Sequence, residues 1–343
     1  MKKVLFASTA LVATAGIAAA DVAISGYAEM GVRGGSGTTI TQFMQDIDVR
    51  FTLSGETDGG ITFGAGVDLD ENAGGSNTDD AGVAVFVSGD FGTLTLGDTD
   101  GGFDAGMQEV NIGSGGSIAD NETGHAGYSG NSGLDGVYDG QILSYRYSVS
   151  GFTITGSIEM DDDANSGAAG PFGQAALTTA DGLTGDAIYG IGASYAGTFG
   201  GGSYTIGAGY QTTADYDAAT AGAQDLTIMG VSATVALDSG LSAGINYSQI
   251  STFVVNGDGT HTAFGASYAF DAITLHANYG QFDWDAGAAV ADTNGFGLAA
   301  AYDLGGGLNA HLGYGSSEVT AVNASTATLG TSSTWSLGLS MSF

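Results

Sequence analysis

The sequence predicts an all-β fold, a 16-stranded antiparallel transmembrane β-barrel, and three observations carry the prediction. The first is a pattern stated four times in the second half of the chain: SYTIGAGYQ, LSAGINYSQ, ITLHANYGQ and LNAHLGYGS. In each copy apolar residues alternate with polar ones or glycine, and Tyr210, Tyr247, Tyr279 or Tyr314 closes the run. Alternation gives a strand one apolar and one wet face. A tyrosine at the same end each time suits the aromatic girdle of a membrane barrel, which a soluble sandwich does not need.

The second observation is an export signal. Lys2 and Lys3 precede an apolar stretch from Val4 to Ile17, and Ala18-Ala19-Ala20 supplies a small-residue cleavage site before Asp21. Residues 1–20 therefore read as a cleaved signal peptide and 21–343 as one barrel domain. No later stretch approaches the roughly 20 continuous apolar residues of a membrane helix, so the exported chain is either soluble or a barrel.

The third observation is composition. Glycine is 62 of 343 residues, proline 1 and cysteine 0. This composition permits bulges and tight turns, lacks the proline of disordered chains, and excludes disulfides and thiolate metal sites. The precursor carries a net charge of −32, which excludes nucleic acid as a partner and attracts cations. A hydrophobic content of 43% with 15 Tyr and 16 Phe is too apolar for disorder.

Alternation can be followed through sixteen segments: 22–33, 43–54, 61–70, 81–88, 93–98, 140–149, 152–160, 186–195, 203–211, 227–237, 241–249, 262–270, 273–281, 295–304, 308–315 and 334–343. Short connections rich in Gly, Asp or Ser alternate with long ones, the longest being 99–139, so that both termini fall on the short side. That is the arrangement of an even-stranded outer-membrane barrel. In the second segment Phe43, Gln45, Ile47, Val49, Phe51 and Leu53 share the lipid face, and Met44, Asp46, Asp48, Arg50, Thr52 and Ser54 share the lumen. The last segment divides in the same way, with Trp335, Leu337, Leu339, Met341 and Phe343 outward. A barrel of this size is too wide for side chains to fill, so the polar face lines water.

The chain resembles the general diffusion porins of the alphaproteobacterial, Rhodobacter-type group. The resemblance rests on the start DVAISGYAEMGV, the FGTLTLG strand at 91–97 leading into the longest loop, and the terminal WSLGLSMSF. It implies a homotrimeric channel for small hydrophilic solutes and ions, contacting lipid and lipopolysaccharide. The third external loop, here 99–139 with DGGFDAGMQEV near its start, is expected to fold inward and narrow the pore. The resemblance also makes Phe343 the expected assembly signal. Such porins usually set an acidic loop against a basic cluster, whereas this exported chain has only Arg33, Arg50 and Arg146 and no lysine.

Parity places all three arginines in the lumen beside acids including Asp46 and Asp48, and these, with Asp98, Asp100, Asp104 and Glu109 of the long loop, are the candidate pore-lining and constriction residues; the alternative for the arginines is ordinary pairing with neighbouring carboxylates. Asp98, Asp100, Asp104 and Glu109 match the offsets of a calcium loop only in part, because Phe103 stands where an EF-hand needs glycine and a strand precedes it. No cofactor is required, and looser calcium binding by Asp100, Asp104 and Glu109 stays open. Asp79, Asp80, Asp161, Asp162 and Asp163 read as solvated charge or as bridges to lipopolysaccharide. His276 and His311 fall on luminal positions and read as pore-lining, while His125 lies in the long loop and His261 borders a strand. With acids outnumbering bases, rings of carboxylates predict a cation-selective pore. Two rival classes are an outer-membrane barrel enzyme, for which no nucleophile is marked, and a secreted calcium-binding β-helix, which needs tandem nonapeptides absent here.

Overall fold

A computed structural model describes residues 21–36, 40–70, 82–112, 116–136, 141–160, 187–213, 225–253, 257–285, 291–320 and 330–343. The signal segment 1–20 and the acids Asp79, Asp80, Asp161, Asp162 and Asp163 lie outside them. The strands are β1 Asp21–Gly35, β2 Gln42–Glu56, β3 Thr62–Asp70, β4 Val83–Gly89, β5 Gly92–Gly97, β6 Ile142–Val149, β7 Phe152–Met160 and β8 Ala187–Phe199. They continue as β9 Gly202–Thr213, β10 Leu226–Leu237, β11 Leu241–Phe253, β12 Gly257–Phe270, β13 Ile273–Trp284, β14 Asp292–Gly305, β15 Leu308–Thr320 and β16 Gly330–Ser342. Each pairs with its sequence neighbour, and β1 pairs with β16 to close the barrel. Closure leaves no sheet edge for the bilayer to meet with unsatisfied backbone groups. All pairings are antiparallel, with β1 and β16 in register from Tyr27↔Ser342 to Gly35↔Thr334. This topology excludes the β-helix.

Every predicted segment is a strand, and several strands run further than predicted. β12 starts at Gly257 rather than 262, and β15 continues to Thr320 rather than 315. Alternation of apolar residues records only the part of a strand that touches lipid; the hydrogen-bonded ladder continues above it in polar residues. His261 consequently lies inside β12 rather than at its border.

The outward face is apolar, with Phe43 89% and Ile24 66% exposed. Aromatic side chains gather at both rims. Beside the short turns Phe152 packs on Tyr195 with centroids 4.5 Å apart, and on the loop side Phe296 meets Tyr314 at 6.1 Å. The turn between β6 and β7 is Ser150–Gly151, both at positive φ (50° and 85°), the backbone of a two-residue hairpin whose twist matches its strands. The chain end is tied across the closure, where the Phe343 amide donates to the Gly26 carbonyl at 2.9 Å. Some of the most deeply buried apolar side chains, Phe103, Met107, Val110, Ile118 and Leu134, belong to the long connection 99–139.

Candidate functional site

That connection enters the barrel and lies on its inner wall as a flattened hairpin. It begins with a five-residue helix, α1 Gly102–Gly106, packed inside β7, β8 and β9. The outgoing leg then passes strand after strand. The Gly102 amide donates to Ser157 Oγ of β7 at 2.7 Å, the Gln108 amide to Ser232 Oγ of β10 at 2.7 Å, and Asn246 of β11 donates to the Gln108 carbonyl at 3.2 Å. Further on, His311 of β15 meets the Gly116 carbonyl at 2.9 Å. At the tip Ile118 is 1% exposed, its side chain over Gly31 of β1 and Gly338 of β16. These two glycines are register partners across the closure.

The returning leg retraces the arc. Asn278 of β13 donates to the Thr123 carbonyl at 2.7 Å, Thr293 of β14 to the Ala126 carbonyl at 2.8 Å, and His261 Nε2 of β12 to the Gly127 carbonyl at 3.0 Å. The Leu134 amide then donates to Gln211 Oε1 of β9 at 2.7 Å, and the Gly136 amide to Glu159 of β7 at 3.0 Å. The wall groups are short hydroxyls, amides and imidazoles on luminal positions, and they satisfy loop backbone that would otherwise be buried without partners.

Close approach explains why luminal positions along this arc are so often glycine. A Cβ on Gly265 of β12 would stand 1.8 Å from the Val110 carbonyl oxygen, and one on Gly192 of β8 1.9 Å from that of Gly102. Real Cβ atoms do not approach backbone so closely, so these glycines hold the loop flat against the wall and away from the pore axis.

The loop's ends are clasped by Asp135, which accepts from the Gly101 amide at 2.7 Å and from Gln211. Burial pushes its carboxyl up to about 7 against the lowering effect of those two bonds, and the charge of Glu159 adds to the rise. Burial likewise pushes Asp104 up to about 8, reinforced by Asp100, Asp135 and Glu109. Asp100, Glu109 and Asp120 are exposed to the lumen, and Tyr128 donates its hydroxyl to Glu109. At the tip the fully buried Glu122 accepts from Ser117 and Ser336.

The bare part of the wall, β2 to β6, carries the charged side chains predicted for the lumen. Arg50 pairs with Asp68 of β3 at 3.6 Å, with their side chains 60% and 38% exposed. Asp46 and Asp48 are half-buried on the same face, Arg146 is exposed on β6, and Arg33 is half-buried near the end of β1. Arg33 and Arg146 make no ion pair among the described residues. Asp98 instead accepts from the Gly82 amide at 2.8 Å, holding the end of the β3–β4 connection to β5.

The histidines differ from expectation. His276 and His311 are on luminal positions but only 4% and 7% exposed, because the loop covers them; His276 is packed beneath it and His311 anchors it at the Gly116 carbonyl, rather than lining water. His125 is also buried, which pushes its pKa down to about 4, with His261 contributing. Among the described residues no three His, Cys, Asp or Glu side chains gather to hold a metal ion. Asp100, Asp104 and Glu109 thus do not form the converging set that calcium would require. Sequence reading missed the docked apolar residues, although Phe103, Met107 and Val110 stand at one-face spacing in an otherwise polar loop.

Comparison with known proteins agrees with the geometry. Residues 7–321 match the family described as Gram-negative porin. A porin of Rhodobacter capsulatus is 30% identical over 148 residues, covering 40% of this chain and 44% of its own length, so this sequence match spans under half of that relative. A porin structure refined at 1.8 Å superposes with a TM-score of 0.67 at 24% identity, over 94% of this chain and 100% of that one. A mutant Rh. blastica porin does so at 0.55 and 18%, over 94% and 100%. The enzyme alternative lapses with the family match, since porins are channels and not enzymes. The chain belongs to the Gram-negative porin family, as a β-barrel of the outer membrane.

Proposed function

We propose that the barrel is a passive, water-filled and cation-preferring channel for small hydrophilic solutes and ions, working as a homotrimer after removal of residues 1–20. One observation carries the ion preference. Asp100, Glu109 and Asp120 of the docked loop and Asp46, Asp48 and Asp68 of the bare wall share one lumen, whose described bases are Arg33, Arg50 and Arg146. Carboxylate rings favour cations, and screening over about 8 Å in physiological salt leaves a narrow constriction under their influence. The Arg50–Asp68 pair removes one acid and one base from the balance together. Calcium enters only as a screening ion on the loop and as a bridge between external acids and lipopolysaccharide.

The test is the reversal potential in a tenfold KCl gradient. It should carry the sign of K⁺ permeation, fade at high salt or with added calcium, and strengthen in Arg50→Ala. Anion selectivity of the native channel would overturn the preference. Assembly is tested separately: deleting Phe343, whose backbone is tied to Gly26, should leave the chain in the periplasm as aggregate or fragments. Normal yields of heat-modifiable trimer from that deletion would count against both the signal and the assembly reading.

A further inference from the structure

On the outer side of the loop tip the lumen wall is indented by a pocket of about 240 Å³. Arg33 of β1, Gln42 of β2 and Thr334 of β16 form its wall, and Asn121 and Glu122 of the loop tip face them, with Ile40 at its edge. Arg33 and Gln42 are register partners, and all three strand residues lie at the strand ends beside the long loops, so an entering solute meets the pocket before the constriction. The volume corresponds to about eight waters at roughly 30 Å³ each, room for a solute of amino-acid size.

The pocket's chemistry is unlike that of the rest of the lumen. Arg33 is a half-buried guanidinium with no ion pair among the described residues, in a protein with 37 acidic side chains. A guanidinium presents a rigid fork of donors that matches a carboxylate bidentately. Gln42, Asn121 and Thr334 add neutral donors and acceptors, and the acid that also lines the pocket, Glu122, is itself fully buried and accepts from Ser117 and Ser336. On the loop, Asp120 stands between the pocket residues Ala119 and Asn121, close enough to Asp46 and Glu29 for their charges to interact. A simple anion would be repelled by this strip, and a simple cation would have no use for Arg33. A zwitterion carries no net charge into the acidic vestibule and finds a partner for each end.

We propose that the Arg33 pocket is a weak binding subsite for small zwitterionic solutes, free amino acids being the class that fits, with the carboxylate on Arg33 and the ammonium toward Asp120. The subsite rests on the reading of the barrel as an open channel. It makes such solutes line up at the entrance, so their flux saturates where that of neutral solutes of equal size does not.

The experiment is uptake into proteoliposomes containing the full barrel, with fluxes normalised to KCl conductance. The probes are L-alanine, propionamide and propionate. Alanine flux should saturate, and propionamide flux should rise linearly with concentration. Arg33→Gln should raise the half-saturating concentration of alanine about tenfold or more, the loss of a charge-assisted hydrogen bond, and Arg33→Lys should recover part of it. Gln42→Glu, which sets a carboxylate opposite Arg33, should abolish saturation as well and guards against a folding defect peculiar to Arg33 variants. Saturation that survives in Arg33→Gln and Gln42→Glu, or propionate saturating as readily as alanine, would overturn the subsite. A barrel that passes no ions would instead overturn the channel reading and the subsite with it.

Discussion

Two arcs of one wall obey the same strand alternation and use their inner faces in opposite ways. From β7 round to β16 and onto β1, luminal positions hold glycine, serine, asparagine and histidine, and the loop lies on them. From β2 to β6 they hold Asp46, Asp48, Arg50, Asp68 and Arg146, which are half-buried or exposed. The contrast shows that a luminal side chain in a wide barrel is selected either to receive backbone or to face solute. Glycine gives the first arc its shape, and charge gives the second its selectivity.

The strongest way to break the comparison is to remove what separates the arcs. Deleting 113–133 takes away the tip and most of the returning leg, including Ile118, Glu122 and His125, and exposes hydroxyls and amides that water can hydrate. Single-channel conductance should rise more than in any point variant, with the barrel still heat-modifiable. Conductance near that of the native channel would mean that the docked hairpin does not limit flow.

Much of this was legible in the sequence because a barrel writes its lipid contact as a period of two. All sixteen segments were found that way, and parity alone set Arg50, Asp46 and Asp48 on the inner face. Strand ends beyond the membrane were not, since β15 past 315 and β12 before 262 hold polar residues or glycine apart from Val319, too few apolar positions to alternate. The loop's course was illegible for a different reason. Glycine at a luminal position is consistent with water, a turn or an overlying backbone, and only the approach of Val110 to Gly265 tells which. His311 shows the same limit: polarity and parity placed it inside, but its cover by Gly116 is a tertiary fact.

A finer cut compares equivalent glycines in the two arcs. Gly265→Ala places a methyl where the Val110 carbonyl lies, so the loop must lift inward. Overpacking of this kind costs about 1–3 kcal/mol. Conductance should fall and the loop should become easier to cleave with protease. Gly66→Ala in β3, where a Cβ would come no nearer than 3.4 Å to the flexible tip of Arg50, should change neither. Equal effects at the two sites would show that the glycines of the covered arc hold no special position.

The smallest expected effect is titration of the loop edge between the arcs. Burial, followed by the charges of Asp100, Asp135 and Glu109, raises Asp104 to about 8. The sign follows from the acid: below that value the group is protonated and neutral, and above it the group adds a negative charge. Cation preference should therefore increase as pH rises from 6 to 9, by the contribution of roughly one charge. In Asp104→Asn the rise of the reversal potential across the same range should be smaller than in the native channel, most clearly between pH 7 and 9. Asp135, raised to about 7, is engaged with Gly101 and Gln211 at the clasp, so its ionisation should register mainly in loop protection rather than in ion choice. A native channel whose selectivity falls with rising pH, or an Asp104→Asn channel that keeps the full rise, would show that the titrating charge seen by ions lies elsewhere on the wall.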